Sequence, residues 1–359
     1  MDTTSSFHRD ALAGKLPVSL ITGFLGSGKT TLISKLVRHP QMNRVAVVIN
    51  EIGEIGIDHD LVSISSESVS LLSNGCLCCA LRTDLQETLR LLFAQRRVGE
   101  IPDFDRVVVE TTGLADPAPI LQTLASDTLL ATQYRLDGTV TLVDAVNGIG
   151  QIERHAEATK QIALADKILI SKTDLATPDA VAALEARIAG INRQARIEPI
   201  MNGAIEPASI CGLGLASSRA GPATLRFLGE QDEPDDDAQP ASGRYLGAQV
   251  AARHDPAIGT LSLRFDKPFT WPVFTSAMSL LTSMRGPDLL RVKGIVNVDG
   301  APVLVQAVQH VFHEPVSLDR WPSEDTGSRI VFITHNIEAD VLRALFAAVV
   351  ALGDSAAKR

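Results

Sequence analysis

Gly23-Phe24-Leu25-Gly26-Ser27-Gly28-Lys29-Thr30 is the stretch that decides the fold of this chain. It follows the apolar run at 18–21 and precedes a helical pattern that starts at Thr31. Glycines let the backbone curl with its N–H groups turned inward, the lysine can reach the β- and γ-phosphates, and the threonine hydroxyl can bind Mg²⁺. The helix that follows adds the positive end of its dipole. The stretch therefore predicts a nucleotide-binding loop, whose cofactor-binding residues are Gly23, Gly26, Ser27, Gly28, Lys29, Thr30 and Thr31.

Composition places the chain among ordinary globular proteins. It has 359 residues, of which 45% are apolar and 21% charged, enough for two or three domains with real cores. A net charge of −9 argues against a nucleic-acid-binding surface and against an anionic membrane as partner. The N-terminus lacks the basic start and apolar run of a secretory signal, and no apolar stretch has the length of a membrane span. We expect a cytoplasmic protein that can form homo-oligomers.

Apolar runs of strand length alternate with helical segments from Leu16 to about Gly212. Several of the runs are apolar on both faces, which is typical of a parallel sheet covered by helices on each side. The predicted strands are 18–22, 45–50, 69–73, 106–110, 139–144, 167–171 and 197–201, and the predicted helices are 30–38, 81–97, 117–125, 151–163 and 178–189. The pattern predicts a doubly wound, mostly parallel α/β sheet that binds its ligand outside the carboxyl ends of the strands.

The character of the sequence changes after this region. An acidic run at 232–237, flanked by Ala, Gly, Gln and Pro, predicts a solvated linker. Strand and helix patterns resume near Gly259 and indicate a smaller sheet with helices on one face. We therefore predict a P-loop domain at 1–216, an acidic flexible linker at 217–257 and an α+β C-terminal domain at 258–359.

Cysteines are concentrated at one place, as Cys76, Cys78 and Cys79. Neighbouring Cα atoms lie about 3.8 Å apart, too close for ordinary disulfide geometry between Cys78 and Cys79. In a reducing compartment such a cluster indicates thiolates that bind a borderline-soft ion such as Zn²⁺ rather than Mg²⁺ or Ca²⁺. Three cysteines do not complete a structural site, and an open position suits transient binding and transfer.

Two further strand ends carry candidate site residues. Ser171-Lys172-Thr173-Asp174 follows an apolar strand, where an α/β nucleotide-binding domain has its base-recognition loop. The Asp174 carboxylate can accept both guanine N1–H and the N2 amino group, whereas adenine offers an acceptor at N1, so the loop predicts guanine specificity with the Lys172 stem on the base plane. Glu110 also ends a strand and can hold Mg²⁺ through its water shell, while Gly113 can offer its N–H to the γ-phosphate.

These motifs together resemble the CobW-type P-loop GTPases, which act as metallochaperones or metal-insertion factors. The similarity covers nearly the whole chain. Its markers are the nucleotide loop, Asn50-Glu51 with Gly53-Glu54, Cys-x-Cys-Cys at 76–79, Glu110–Gly113 with Ala115-Asp116-Pro117, Ser171–Asp174, and Arg291-Val292-Lys293-Gly294 with Trp321 downstream.

The resemblance implies slow GTP hydrolysis and a metal site that is controlled by the nucleotide. Carried over, the catalytic residues are Lys29, Glu110 and Gly113, and Asp174 reads guanine. The metal residues are Thr30 for Mg²⁺ and Glu51, Cys76, Cys78 and Cys79 for Zn²⁺, with Co²⁺ or Fe²⁺ as alternatives. The implied partner is a client metalloprotein.

The chain departs from the family pattern at two points. Ser171 stands where many GTPases have an asparagine that joins the nucleotide loop to the base loop, which implies a modest nucleotide affinity. The linker has His254 and acidic residues where many relatives have a His-rich stretch, so metal storage there is not expected.

Other functions remain open on the sequence alone. A cobalt or iron insertion factor, for cobalamin synthesis or a nitrile-hydratase-type enzyme, would use the same residues. A P-loop small-molecule kinase would use the same nucleotide loop but leaves the cysteines unexplained. A passive metal-binding module would keep the nucleotide as a structural element only.

Overall fold

A computed structural model describes residues 12–49, 62–64, 69–72, 77–80, 85–215, 217–219, 224, 228 and 258–356. In 62–64, 69–72, 77–80 and 352–356 only the backbone is considered. Glu51, Cys76 and most of the predicted linker lie outside the described residues, so the predicted domain boundaries remain a prediction.

The larger of two sheets carries the nucleotide loop. Its strands are β1 Leu16–Gly23, β2 Val45–Ile49, β3 Val62–Ile64, β4 Val69–Leu72, β5 Leu77–Ala80, β6 Arg106–Glu110, β7 Tyr134–Asp144, β8 Lys167–Ser171 and β9 Arg196–Pro199. They lie in the order β3-β4-β5-β2-β6-β1-β7-β8-β9. All pairs from β5 to β9 are parallel, whereas β3 and β4 form an antiparallel edge. The predicted doubly wound, mostly parallel sheet is confirmed.

Helices cover this sheet. Those described are α1 Lys29–Leu36, α2 Leu85–Val98, α3 Ala118–Ser126, α4 Thr128–Gln133, α5 Gly148–Arg154, α6 Ala156–Ala163, α7 Pro178–Ile191 and α8 Pro207–Ile210. Alternate residues of the central strands pack into different clusters, with Val18 and Leu20 against α2 and α3 and Ile21 against α1. Apolar side chains are thus buried on both faces, which explains the continuous apolar runs in the sequence.

Several elements differ from the sequence prediction, which contains neither β3 nor α4. The helix predicted at 151–163 is two helices, because His155 has an extended backbone (φ −132°, ψ 114°) and ends α5 before α6 begins. Strand β7 starts at Tyr134, five residues before the predicted start at Thr139, in a segment made polar by Arg135 and Asp137. Asp137 is buried there and paired with Arg106 and Arg135, so its charge does not prevent strand formation. The strand β5 was not predicted, because its four residues include Cys78 and Cys79.

The second sheet is antiparallel. It contains β10 Ile258–Phe265, β11 Leu289–Val298, β12 Ala301–Val308, β13 Val311–Phe312, β14 Val316–Ser317 and β15 Ser328–His335, with the path β10-β15-β11-β12-β13 and β14 beside β12. Two further helices, α9 Trp271–Arg285 and α10 Ala339–Ala356, contribute Phe274 and Phe346 to its core. The predicted α+β C-terminal unit with its own core is confirmed.

Direct contacts join the two sheets. Asp166, just before β8, accepts hydrogen bonds from Arg291 and Lys293 of β11. Thr260 Oγ1 donates to Ile191 O at 3.0 Å. No helix in the described part of the chain is long and apolar enough to cross a membrane.

Candidate nucleotide site

The nucleotide loop connects the end of β1 to the start of α1. Gly28 caps α1 with a left-handed backbone (φ 95°), and Gly23 (φ 144°) lies so close to β7 that a Cβ there would be 2.4 Å from Leu142 O. Only glycine fits such positions without strain. The backbone therefore curls tightly at the carboxyl edge of the sheet, where a parallel α/β sheet binds its ligand.

Lys29 and Ser27 are buried polar residues of the nucleotide loop. The buried Lys29 Nζ donates to Gly23 O at 2.9 Å and to Phe24 O at 3.3 Å, within its own loop. Ser27 Oγ is buried and has no hydrogen-bond partner in the described part of the chain. A buried polar atom without a partner is costly, and a bound phosphate would provide one.

Oxygen atoms suited to a hard cation meet beside the loop. Thr30 Oγ1 donates to Glu110 Oε1 at 3.1 Å, and Glu110 is buried at the end of β6. Hydroxyl and carboxylate oxygens are ligands that Mg²⁺ takes together with substrate phosphates. The residues present therefore fit Mg²⁺.

The loop after β6 packs directly on the nucleotide loop. A Cβ on Gly113 would lie 2.6 Å from Leu25 Cδ2 and 2.7 Å from Leu25 N, so the two backbones nearly touch. Gln161 of α6 donates through Nε2 to Gly113 O at 3.2 Å and to Ala115 O at 3.0 Å. Sequence reasoning missed Gln161, because nothing distinguishes it from any other polar residue of an amphipathic helix.

Ser171 joins the base loop to the nucleotide loop. Its Oγ donates to Ser27 O at 2.7 Å. Serine thus makes a contact between the two loops at the position where many GTPases have asparagine, and it is buried at the end of β8. The nucleotide affinity itself stays a prediction.

Asp144 supports the base loop from the neighbouring strand. Its Oδ2 accepts a hydrogen bond from Lys172 Nζ at 2.7 Å, and its Oδ1 accepts from Val146 N at 2.8 Å. Burial raises the pKa of Asp144, but the hydrogen bonds from Lys172, Asn147 and the backbone outweigh it and keep the pKa below its usual value. Lys172 itself has a left-handed backbone (φ 57°), which turns the chain into the following loop.

Asp174 lies in that loop with its side chain exposed. Its carboxylate has no hydrogen-bond or ion-pair partner among the residues that the structure describes. Both oxygens are thus available to accept hydrogen bonds from a base, as the predicted role requires.

The backbone of the cysteine-bearing strand lies close to this site. Strand β5 pairs in parallel with β2, and β2 with β6, so that Ala80, Ile49 and Glu110 are in register. Two strand spacings of about 4.8 Å separate Ala80 from Glu110, which puts the Cα of Cys79 about 10 Å from that of Glu110. Only the backbone of Cys78 and Cys79 is described, and within the described residues no group of three His, Cys, Asp or Glu side chains could hold a metal ion.

The two halves of the chain match two family models. Residues 17–199 match the CobW/HypB/UreG nucleotide-binding domain, and residues 258–350 match the cobalamin synthesis protein CobW C-terminal domain. The chain is 33% identical to the zinc chaperone YjiA of Escherichia coli, covering 92% of this chain and 98% of that protein. It is 26% identical to the zinc chaperone CobW of a Sinorhizobium species, over 94% and 98% of the two chains.

A solved structure gives the same result. The crystal structure of the Zn(II)-bound YjiA GTPase of E. coli aligns with a TM-score of 0.72 at 30% identity, over 93% of this chain and 99% of that one. Sequence, fold and site geometry agree, and the chain belongs to the CobW/HypB/UreG family, with the CobW C-terminal domain.

Proposed function

We propose that this protein is a GTP-hydrolysing metallochaperone that couples its nucleotide state to the binding and transfer of zinc to a client metalloprotein. One observation carries the proposal: the Cys78-Cys79 strand lies in register two strands from Glu110, at the edge where the nucleotide loop lies. The names of the relatives, zinc chaperones and a Zn(II)-bound GTPase, support it.

Phosphate binding and hydrolysis are assigned to the nucleotide loop. Lys29 Nζ exchanges its two carbonyl partners for β- and γ-phosphate oxygens, and Ser27 Oγ gains a partner. Thr30 and Glu110 would hold Mg²⁺, which would neutralise charge at the phosphates when bound. Gly113 N–H donates to the γ-phosphate, which holds the loop after β6 in place until hydrolysis removes that contact.

Guanine specificity is assigned to Asp174. Its two carboxylate oxygens accept N1–H and the N2 amino group of guanine, while Ser171 keeps the base loop in fixed relation to the phosphates. Adenine would leave the carboxylate facing the N1 lone pair, which disfavours it strongly.

The metal is assigned to Cys76, Cys78, Cys79 and Glu51. Thiolates with one carboxylate favour Zn²⁺, and Co²⁺ or Fe²⁺ would have to compete for the same ligands. Glu51 follows β2 and the cysteines lie in or next to β5, so movement of either strand end changes the ligand geometry. The bound γ-phosphate thereby controls how tightly zinc is held.

The test compares two lysines of the same helix. Lys29→Ala should lower GTP turnover by about 100-fold or more, the usual loss when one preorganised donor is removed, whereas Lys35→Ala, at an exposed position of α1, should leave it unchanged. Zinc release to a colorimetric chelator should differ between protein with GTP and protein with GDP. GTP turnover by Lys29→Ala that equals that of the wild type would contradict the proposal. Phosphate transfer to a small-molecule acceptor instead of water would also contradict it.

A further inference from the structure

A polar cavity lies between the two sheets, at the end of the parallel sheet that is opposite the nucleotide loop. It has a volume of about 180 Å³ and is lined by Asp166, Lys167 and Arg196 from the first sheet and by Arg291 and Lys293 from β11. A cavity of about 150 Å³ holds a benzene molecule in another protein, so this one can hold a small molecule. Lys167 begins the strand that ends at Ser171, which puts the cavity about 13 Å along β8 from the nucleotide loop.

Positive charge is in excess around the cavity. Arg291 and Lys293 are buried and share Asp166, with the Arg291 guanidinium 2.5 Å from that carboxylate. Lys167 is paired with Glu198 at 2.5 Å. The exposed Arg196 guanidinium has no acidic partner in the described part of the chain. Four cationic groups therefore face two carboxylates.

Two buried groups near the cavity have lowered pKa values, chiefly through burial and in part through this positive charge. Burial and the charge of Arg291 together lower the pKa of Lys293 to about 8, against the attraction of Asp166. Burial, together with the charges of Arg291 and Lys293 and against that of Asp166, lowers the pKa of His313 to about 4. A second anion in the cavity would offset the repulsion between Arg291 and Lys293, which both line it.

Donors to bind such an anion are present. A guanidinium carries five N–H donors in a planar fork that matches the oxygens of a carboxylate or phosphate. Arg291 uses part of its fork on Leu164 O and Asp166. The side chain of Arg196 makes no hydrogen bond to any other described residue, so its whole fork is available.

We infer that this cavity is a binding site for a small dianion, such as phosphate or a short dicarboxylate, which the two sheets hold between them. Lys167 and Arg196 would hold the anion from one sheet, and Arg291 and Lys293 from the other. Binding would stabilise the contact between the sheets.

The test uses the full-length protein saturated with Mg²⁺ and a non-hydrolysable GTP analogue, so that the nucleotide loop cannot take up the added anion. Sodium phosphate, sodium malonate and sodium acetate are compared at equal ionic strength by calorimetry and thermal unfolding. Phosphate or malonate should bind at millimolar concentration or below and raise the unfolding midpoint by at least about 2 °C. Acetate, a monoanion, should do neither.

A pair of matched variants locates the binding. Arg196→Gln should weaken dianion binding at least tenfold, because it removes the available guanidinium without breaking an ion pair. Arg193→Gln, at an exposed position outside the cavity lining, should bind as the wild type does. Equal weakening in both variants, unchanged binding in Arg196→Gln, or an equal effect of acetate would overturn the inference. The absence of binding at about 10 mM phosphate or malonate would also overturn it.

Discussion

Replacing Asp174 by asparagine should change the base preference of the protein while leaving its fold intact. The side chain is exposed, and its carboxylate makes no polar contact with any other residue in the described ranges. The substitution therefore removes nothing that holds the structure together. Any change in nucleotide binding reports on the base contact itself.

The expected magnitude follows from the hydrogen bonds. A hydrogen bond to a charged group contributes about 1.5–3 kcal/mol, and in the proposed role the carboxylate would accept two from guanine. Asparagine can accept one, and its NH₂ group then faces the guanine N2 donor. A loss of about 3 kcal/mol corresponds to a Kd for GTP raised by a factor of roughly 100.

Xanthine nucleotides should show the reverse. Xanthine carries a carbonyl oxygen at C2, which repels a carboxylate but accepts a hydrogen bond from the asparagine NH₂. The Asp174→Asn protein should therefore bind XTP more tightly than GTP.

Fluorescent nucleotide titration measures both affinities, and Asp179→Asn in the first turn of α7 is the matched control. Unchanged GTP affinity in Asp174→Asn, within threefold of the wild type, would refute the assignment of Asp174 to the base.

Three further predictions follow from contacts in the structure. Gly113→Ala should lower the GTPase kcat at least about tenfold, because the new Cβ would lie 2.7 and 2.8 Å from backbone atoms of Leu25, which cannot move aside easily. Gly259→Ala is the control: a Cβ there has no atom within 4 Å, and its kcat should equal that of the wild type. Asp166→Asn should lower the free energy of unfolding in urea by about 3–5 kcal/mol, since it leaves two buried cations without their shared anion, and a loss under 1 kcal/mol would contradict this. His313 has a pKa of about 4 in the folded protein but protonates near pH 6.5 when the chain is unfolded. The free energy of unfolding should therefore fall by up to about 3 kcal/mol as the pH drops from 6.5 to 4. His313→Gln should flatten that fall in pH-dependent thermal unfolding.

The parallel sheet could be predicted because short runs of neighbouring residues determine its strands. Strands β6 and β8 have the predicted bounds, 106–110 and 167–171, since each is a short apolar run buried on both faces. The nucleotide loop follows from its own glycines and lysine. These features need no knowledge of distant residues.

Other features depend on partners far away in the sequence. The first residues of β7 include Asp137, whose charge can be buried because it pairs with Arg106, 31 positions earlier in the sequence. Asp166 meets Arg291 across 125 positions, and no pattern in either segment indicates the other. The sequence marked Arg291-Val292-Lys293-Gly294 as a motif, and the structure adds a physical reason: two of its side chains hold the first sheet, while Gly294 lies so close to β15 that a Cβ would be 2.5 Å from Arg329 O.

Only part of the candidate site could be predicted from the sequence. Lys29, Thr30 and Glu110 come together as their motifs require. Gln161, which holds the loop after β6, carries no motif and becomes visible only through its hydrogen bonds. Residues that position a site are harder to predict than residues that bind the ligand, because their role depends on where the neighbouring elements lie.

The central claim is that the bound nucleotide controls the affinity for zinc, and a zinc titration tests this directly. Zinc binding should be titrated against a competing chelator with and without a non-hydrolysable GTP analogue, for the wild type and for Cys78→Ser/Cys79→Ser. Coupling between two sites is typically 5- to 150-fold and reciprocal, so the analogue should change zinc affinity of the wild type at least fivefold, and zinc should change analogue affinity by the same factor. The double variant should lose the effect. Equal zinc affinity of the wild type with and without the analogue would contradict the account.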